Sequence, residues 1–208
     1  KPLEEFPFRI SKMSKSGALF DLDKLNDISR TELSRLDAEE MLAFLKAWAQ
    51  EYGTQEQKAY FADEAYLLNV LTLCMGIGGK KRRKDFVTAK QAMEEIGYFF
   101  AGYTQKDAYR VDDATRNAVL DGFLATYSYE NDAQVWLSKV KELAGSLGFA
   151  AEMRDYKANP EAYKGSVSDV AEVLRIAVTG RANSPDLWTI MHILGDERTR
   201  DRIKAARA

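Results

Sequence analysis

Apolar side chains recur along this chain at intervals of three and four, the period of a helix with one buried stripe. Met41, Leu45, Trp48 and Tyr52 form one such stripe. Asp37 stands ahead of it with Glu40 three residues on, a capping-box start, and Gly53 follows as a candidate left-handed stop. Thr54 with Gln57 and Thr88 with Gln91 repeat the opening signature. Behind them come the stripes Tyr60, Leu67, Val70, Leu71 and Ala92, Ile96, Phe99, Phe100. Further helices are predicted from Asp113 to Tyr127, from Asp132 to Leu147 (stopped by Gly148) and from Ser168 to Thr179 (stopped by Gly180). One more begins at Ser184-Pro185, read as a cap and a preset first turn, and runs to Leu194 before Gly195. The last starts at Asp196. Alternating strand patterns are nearly absent, so the expectation is an all-α helical bundle of about eight helices in two packed subdomains, without any sheet of more than two short strands.

Turn-rich breaks fall at 76–85, 103–111 and 159–166, and the central one is the expected boundary. Three units follow: 1–36, a loop and connector; 37–110, a first helical subdomain; 111–208, a second. Pro7, Gly17 and separated serines interrupt the first unit, and Asp21 to Asp27 reads as a short capped turn or helix. There is no internal repeat and no low-complexity stretch.

With 46% hydrophobic and 30% charged residues the chain is ordinary globular material. Its one cysteine, Cys74, has no internal partner and lies in the apolar run Leu67 to Met75, which predicts a small buried side chain in a reducing compartment. One cysteine and one histidine exclude a Cys/His zinc site within the chain. No stretch reaches the ~18 apolar residues of a membrane span and no signal peptide is evident, so a cytoplasmic setting is expected. Lys1 in place of Met suggests a portion of something longer. The net charge of −2 hides its distribution: Lys80, Lys81, Arg82, Arg83 and Lys84 form five consecutive cations. Such a run repels itself on a plain surface and suits a phosphate partner. It is not a Walker loop, because Cys74 stands where the first glycine would be and no Ser or Thr follows the lysine.

Lys12-Met13-Ser14-Lys15-Ser16 matches the KMSKS signature of class I aminoacyl-tRNA synthetases letter for letter. Ammonium groups on such a loop can close on the charge that develops as pyrophosphate leaves ATP, and small serines let backbone N–H groups approach phosphate oxygens. Lys12 and Lys15 are therefore the candidate catalytic cations, with Ser14, Lys15 and Ser16 as ATP contacts. The continuation Gly17 to Asn26 resembles the glutamyl-tRNA synthetase family. So does the far end: Leu174-Arg175-Ile176-Ala177-Val178-Thr179-Gly180, Ser184-Pro185-Asp186-Leu187-Trp188 and Ile193 to Arg198 are similar to that family's terminal anticodon-binding helices. The resemblance implies that Arg175, Ser184, Pro185 and Leu187 lie beside anticodon bases, and that Lys80 to Lys84 contact tRNA. It further implies ATP with Mg2+, glutamate and a glutamate-accepting tRNA for the whole enzyme, with neither membrane nor DNA as partner and no tightly bound cofactor here.

His192-Ile193-Leu194-Gly195 departs from the HIGH element at its third and fourth letters and follows the lysine loop instead of preceding it. His192 is read instead as serving terminal helix carbonyls. With neither a HIGH element nor an amino-acid pocket in the sequence, these residues are not expected to catalyse activation alone. Competing readings are a freestanding helical RNA-binding module, a helical protein-interaction scaffold and the class I lysyl enzyme; the glutaminyl branch ends in β-barrels, which this strand-poor chain cannot form.

Overall fold

The computed structural model describes residues 5, 7, 9–12, 21–100 and 103–207. Among these are eleven α-helices: α1 (Leu22–Leu33), α2 (Ala38–Tyr52), α3 (Gln55–Ala59), α4 (Glu64–Met75), α5 (Ala89–Ile96), α6 (Asp113–Thr126), α7 (Ala133–Ser146), α8 (Met153–Ala158), α9 (Val167–Thr179), α10 (Leu187–Leu194) and α11 (Asp196–Ala205). The nearest thing to a strand among the described residues is one parallel bridge, Ala150 with Ser166. The all-α expectation holds. The helix number exceeds the predicted eight because α1 is a full three turns and because α3 and α8 are too short to register as periodic stripes.

The helix starts follow from local hydrogen bonding. Asp37 accepts from the Glu40 N–H at 2.8 Å while the Glu40 carboxylate accepts from the Asp37 N–H at 2.9 Å, closing the expected capping box. Thr54 and Gln57 repeat it at 3.2 and 3.0 Å. Two local expectations are corrected. Gly53 is extended (φ −75, ψ 150), not left-handed; α2 ends there because Thr54 immediately begins a new cap. Ser184 does not cap α10; Asp186 does, accepting from the Thr189 N–H at 2.8 Å, because the Ser184 hydroxyl is engaged elsewhere.

α2 packs on α4 and α5, burying Met41, Leu42, Leu45 and Ala49 against Leu67, Val70, Leu71 and Met75. α9 packs on α6, α7 and α11 and buries Val170, Val173, Leu174, Ile176, Ala177 and Val178. α10 reaches back to α4, so both groups share one hydrophobic cluster. Cys74 is buried within it, as the apolar run predicts.

Three arginines of α11 then fasten backbone that helix ends leave unpaired. Arg198 donates to Leu194 O (2.8 Å), Phe99 O (3.0 Å) and the Tyr66 hydroxyl (3.2 Å). Arg200 donates to Tyr127 O at 3.1 Å, its guanidinium carbon 5.0 Å from that residue's ring centre. Arg202 donates to Val178 O at 2.7 Å and lies over the Tyr103 ring at 4.7 Å. Arg198→Ala should therefore lower unfolding free energy by about 1–3 kcal/mol, because it strips a charged donor from the Phe99 carbonyl and frees α11 from α4. A denaturant melt of the variant coinciding with that of the parent chain would refute this role.

Candidate nucleic-acid interface

α9 ends at Gly180, whose φ of +74 is open to glycine and strained for other residues. A Cβ there would stand 2.5 Å from Thr104 O, so the chain turns tightly against the 104–107 segment. That segment returns two N–H donors, Lys106 (2.8 Å) and Asp107 (3.0 Å), to Gly180 O. The turn delivers residues 181–186 as an ordered corner ahead of α10.

Arg175, one turn before the end of α9, points into this corner. Its Nη1 donates to Ser184 Oγ at 2.5 Å, Pro185 O at 2.8 Å and Ser184 O at 3.3 Å. Three residues predicted from sequence as one site are thus in mutual contact. Burial lowers the Arg175 pKa from its ordinary value, with the Asp186 carboxylate opposing that fall. Leu187 is placed differently: at 2% exposure it belongs to the core, so its contribution is to anchor the corner from beneath.

The five-cation run divides into two kinds. Gly76 is left-handed (φ +66) and closes α4, and the Arg83 N–H returns to Met75 O at 2.9 Å, folding the run back on the helix end. Lys80 and Lys81 are exposed at its tip. Arg82 turns inward, donating through Nε to Ser34 O at 3.0 Å and through Nη2 to Leu36 O, which pins the turn between α1 and α2. Arg83 pairs with Asp85 at 2.6 Å, and Lys84 donates to Thr31 Oγ1 at 3.3 Å while staying exposed.

These two regions, about a hundred residues apart in sequence, line one cleft of about 340 Å³. Arg83, Lys84, Asp85 and Phe86 line it from the α4–α5 connection; Asn183, Ser184 and Pro185 line it from the corner. Buried Cys74 and Tyr98 form its deep part, and Arg30, Glu95 and Arg181 also border it. Arg181, which also lines the cleft, is not among the candidates that the sequence singles out. It pairs with Glu95, donates to Glu94 O at 2.9 Å and lies 5.8 Å from the Tyr98 ring centre. Its position directly after the Gly180 stop was the available signal; nothing local pairs it with Glu95.

Lys12 is exposed at the end of a short 3₁₀ turn, and Ser14, Lys15 and Ser16 lie outside the described residues. His192 differs from its expected role. Its ring nitrogens stand 3.0 Å from Trp188 O and 3.0 Å from Tyr129 O, and the ring packs against both of those aromatic rings, so it joins α10 to the segment after α6. Among the described residues no cluster of His, Cys, Asp and Glu could hold a metal ion.

A family profile described as an anticodon binding domain matches residues 63–207. The chain is 42% identical over 205 residues to a glutamate–tRNA ligase of Acetivibrio thermocellus, covering 97% of this chain and 37% of that protein. It is 38% identical over 209 residues to one from Clostridium perfringens, covering 96% and 37%. It thus spans a little over a third of the length of these relatives. A crystal structure of a glutamate–tRNA ligase from Elizabethkingia meningosepticum in complex with its amino acid superposes with a TM-score of 0.58 at 17% identity, over 96% of this chain and 34% of that one. That likeness speaks to the fold.

The split within the basic run is testable by stability alone. Arg82→Ala should cost about 1–3 kcal/mol, since two carbonyls lose a charged donor, whereas Lys80→Ala and Lys81→Ala should stay within about 0.5 kcal/mol of the parent. Thermal melts giving equal losses for all three would show that Arg82 is as solvent-bound as its neighbours.

Proposed function

We propose that this chain, which belongs to the anticodon binding domain family, is the part of a glutamate–tRNA ligase that holds the anticodon arm of its tRNA. The observation that carries the reading is the cleft itself, with a cation-bearing loop on one side and on the other the Ser184–Pro185 corner, to which Arg175 is hydrogen-bonded. Cations confer affinity for any phosphate backbone and make it salt-dependent. Unstacked RNA bases are read by edge hydrogen bonds and by packing on flat surfaces, which an arginine plane and a proline ring supply.

On this reading 37–110 contributes phosphate contacts, through Lys80, Lys81 and Lys84 with Arg83, while Arg82 holds the loop in place. Unit 111–208 contributes base reading through Arg175, Ser184 and Pro185, with Leu187 as their support. Residues 1–36 connect to the remaining length of the ligase. Joining of glutamate to tRNA, with ATP and Mg2+, belongs to the whole ligase, where Lys12 and Lys15, flanked by Ser14 and Ser16, would stabilise the departing pyrophosphate. No helix among the described residues is long and apolar enough to cross a membrane, which fits the cytoplasmic setting proposed for such a ligase.

Binding titrations at two salt concentrations, against glutamate tRNA and a version altered only in its anticodon, test this division. Lys80→Ala or Lys81→Ala should weaken both tRNAs alike and reduce the salt slope by about one unit each. Arg175→Ala should cost about 1–3 kcal/mol on the glutamate tRNA and little on the altered one. Equal losses on both tRNAs would make Arg175 a structural or backbone-contacting residue. In the full-length ligase, Lys15→Ala should slow glutamate activation by about ten- to a hundred-fold with a smaller effect on glutamate binding. Unchanged turnover would remove the lysine loop from the chemistry.

A further inference from the structure

The deep part of the cleft contains a polar group that the fold leaves unused. Tyr98 is only 6% exposed, and its hydroxyl has no hydrogen-bond partner. A buried hydroxyl without a partner is unfavourable unless something else satisfies it, which makes it a sign of a ligand. Cys74, Arg181 and Glu95 act electrostatically on this hydroxyl, and all three border the same cleft as Tyr98. The Cys74 thiol beside it is at most a weak partner, which leaves the hydroxyl without an oxygen or nitrogen acceptor.

The available chemistry at this point is one-sided. Burial pushes the Tyr98 hydroxyl far above the usual tyrosine range and pushes the Cys74 thiol up to about 12, so each keeps its proton at neutral pH. Both are then donors, the thiol a weak one. The Arg181 guanidinium is a donor as well, and the Glu95 carboxylate beside it is already paired to Arg181. The deep end of the cleft therefore seeks an acceptor, while its rim carries the Arg83 and Lys84 cations.

We propose that Tyr98 is a specificity-determining residue of the cleft, its hydroxyl donating to a ring carbonyl of an unstacked RNA base whose flanking phosphates lie toward Arg83 and Lys84. This rests on the reading of the cleft as an anticodon interface and extends it: uracil, cytosine and guanine carry a suitable carbonyl, and adenine does not. Tyr98 contacts its base from the buried end of the cleft, beside the corner where Arg175, Ser184 and Pro185 make theirs.

Tyr98→Phe removes one oxygen and keeps the ring, so it tests the inference with little risk to the fold. Its thermal midpoint should equal or exceed that of the parent chain, because the deleted hydroxyl has no partner stronger than a buried thiol in the free protein. Affinity is then measured for anticodon stem-loops carrying the glutamate sequence or a single adenine at each anticodon position. At one position the parent chain should prefer the carbonyl-bearing base, and the variant should narrow that preference by about three- to tenfold. Selectivity at the other two positions and the salt slope should not change. A marked fall in the midpoint would mean that the hydroxyl is satisfied within the protein and would overturn the inference. So would an unchanged preference at every position in a parent chain that does discriminate. A parent chain that binds all the stem-loops equally would instead remove the anticodon reading on which the inference stands, before any variant is considered.

Discussion

The geometry of the site depends on how α9 is brought to a stop. A helix end leaves carbonyls unpaired, and a buried one must find donors for them. Here the Tyr103 hydroxyl serves Ile176 O and Ala177 O at 3.0 and 2.9 Å, Arg202 serves Val178 O, and Gly180 N–H returns to Ile176 O at 2.7 Å. Gly180 can make this turn because it adopts a positive φ and has no Cβ, which would otherwise stand 2.5 Å from the Thr104 carbonyl oxygen. Every donor in that set comes from a different stretch of sequence. The α9 terminus is therefore held from several sides at once, and the corner that follows inherits its position.

A rigid corner matters because reading a base edge requires donors held in place, whereas attracting phosphate does not. Several arginines and the two lysines at the loop tip are placed differently. Arginines 82, 175, 198, 200 and 202 each donate to backbone carbonyls and hold elements together. Lys80 and Lys81 stay on the surface with their charges in solvent. This follows from side-chain chemistry, since a planar fork of five donors can satisfy several carbonyls while an ammonium on a flexible stem is easily left hydrated.

The local part of this arrangement was legible in the sequence. Caps such as Asp37 with Glu40 involve residues three apart, so pattern alone locates them. The Arg175–Ser184–Pro185 contact spans only nine and ten residues and was anticipated as one site. Where two oxygen-bearing candidates stood close together, at Ser184 and Asp186, pattern picked the wrong cap, because it could not register that Arg175 occupies the serine. The non-local part was not legible. Arg82 reaches carbonyls 46 and 48 residues away, and Arg181 finds Glu95 across 86 residues. A run of five cations reads the same whether one of them points inward or all point out. Leu187, placed beside the anticodon by resemblance, is 2% exposed, and it is tertiary packing that buries it next to the exposed Asp186.

The overall acidity of the chain is compatible with an anion-binding face because of where its carboxylates are spent. Of 32 acidic residues, Asp21, Asp37, Asp63, Asp112, Asp132 and Asp186 each accept from backbone N–H groups at a helix start. There they answer the positive end of the helix dipole, so their charge is partly compensated at its source. Asp112 illustrates the consequence: hydrogen bonds from Thr115 lower its pKa, and the contribution of that cap to stability is present above the ordinary carboxylate range and lost as pH falls below it. Around the cleft the two carboxylates, Asp85 and Glu95, are each matched to an arginine and Arg30 is paired with Asp27, which leaves Lys84 to bias the rim toward positive potential. Net charge is therefore a poor guide to this surface, and the local sign is set by which acids the helix caps have already engaged.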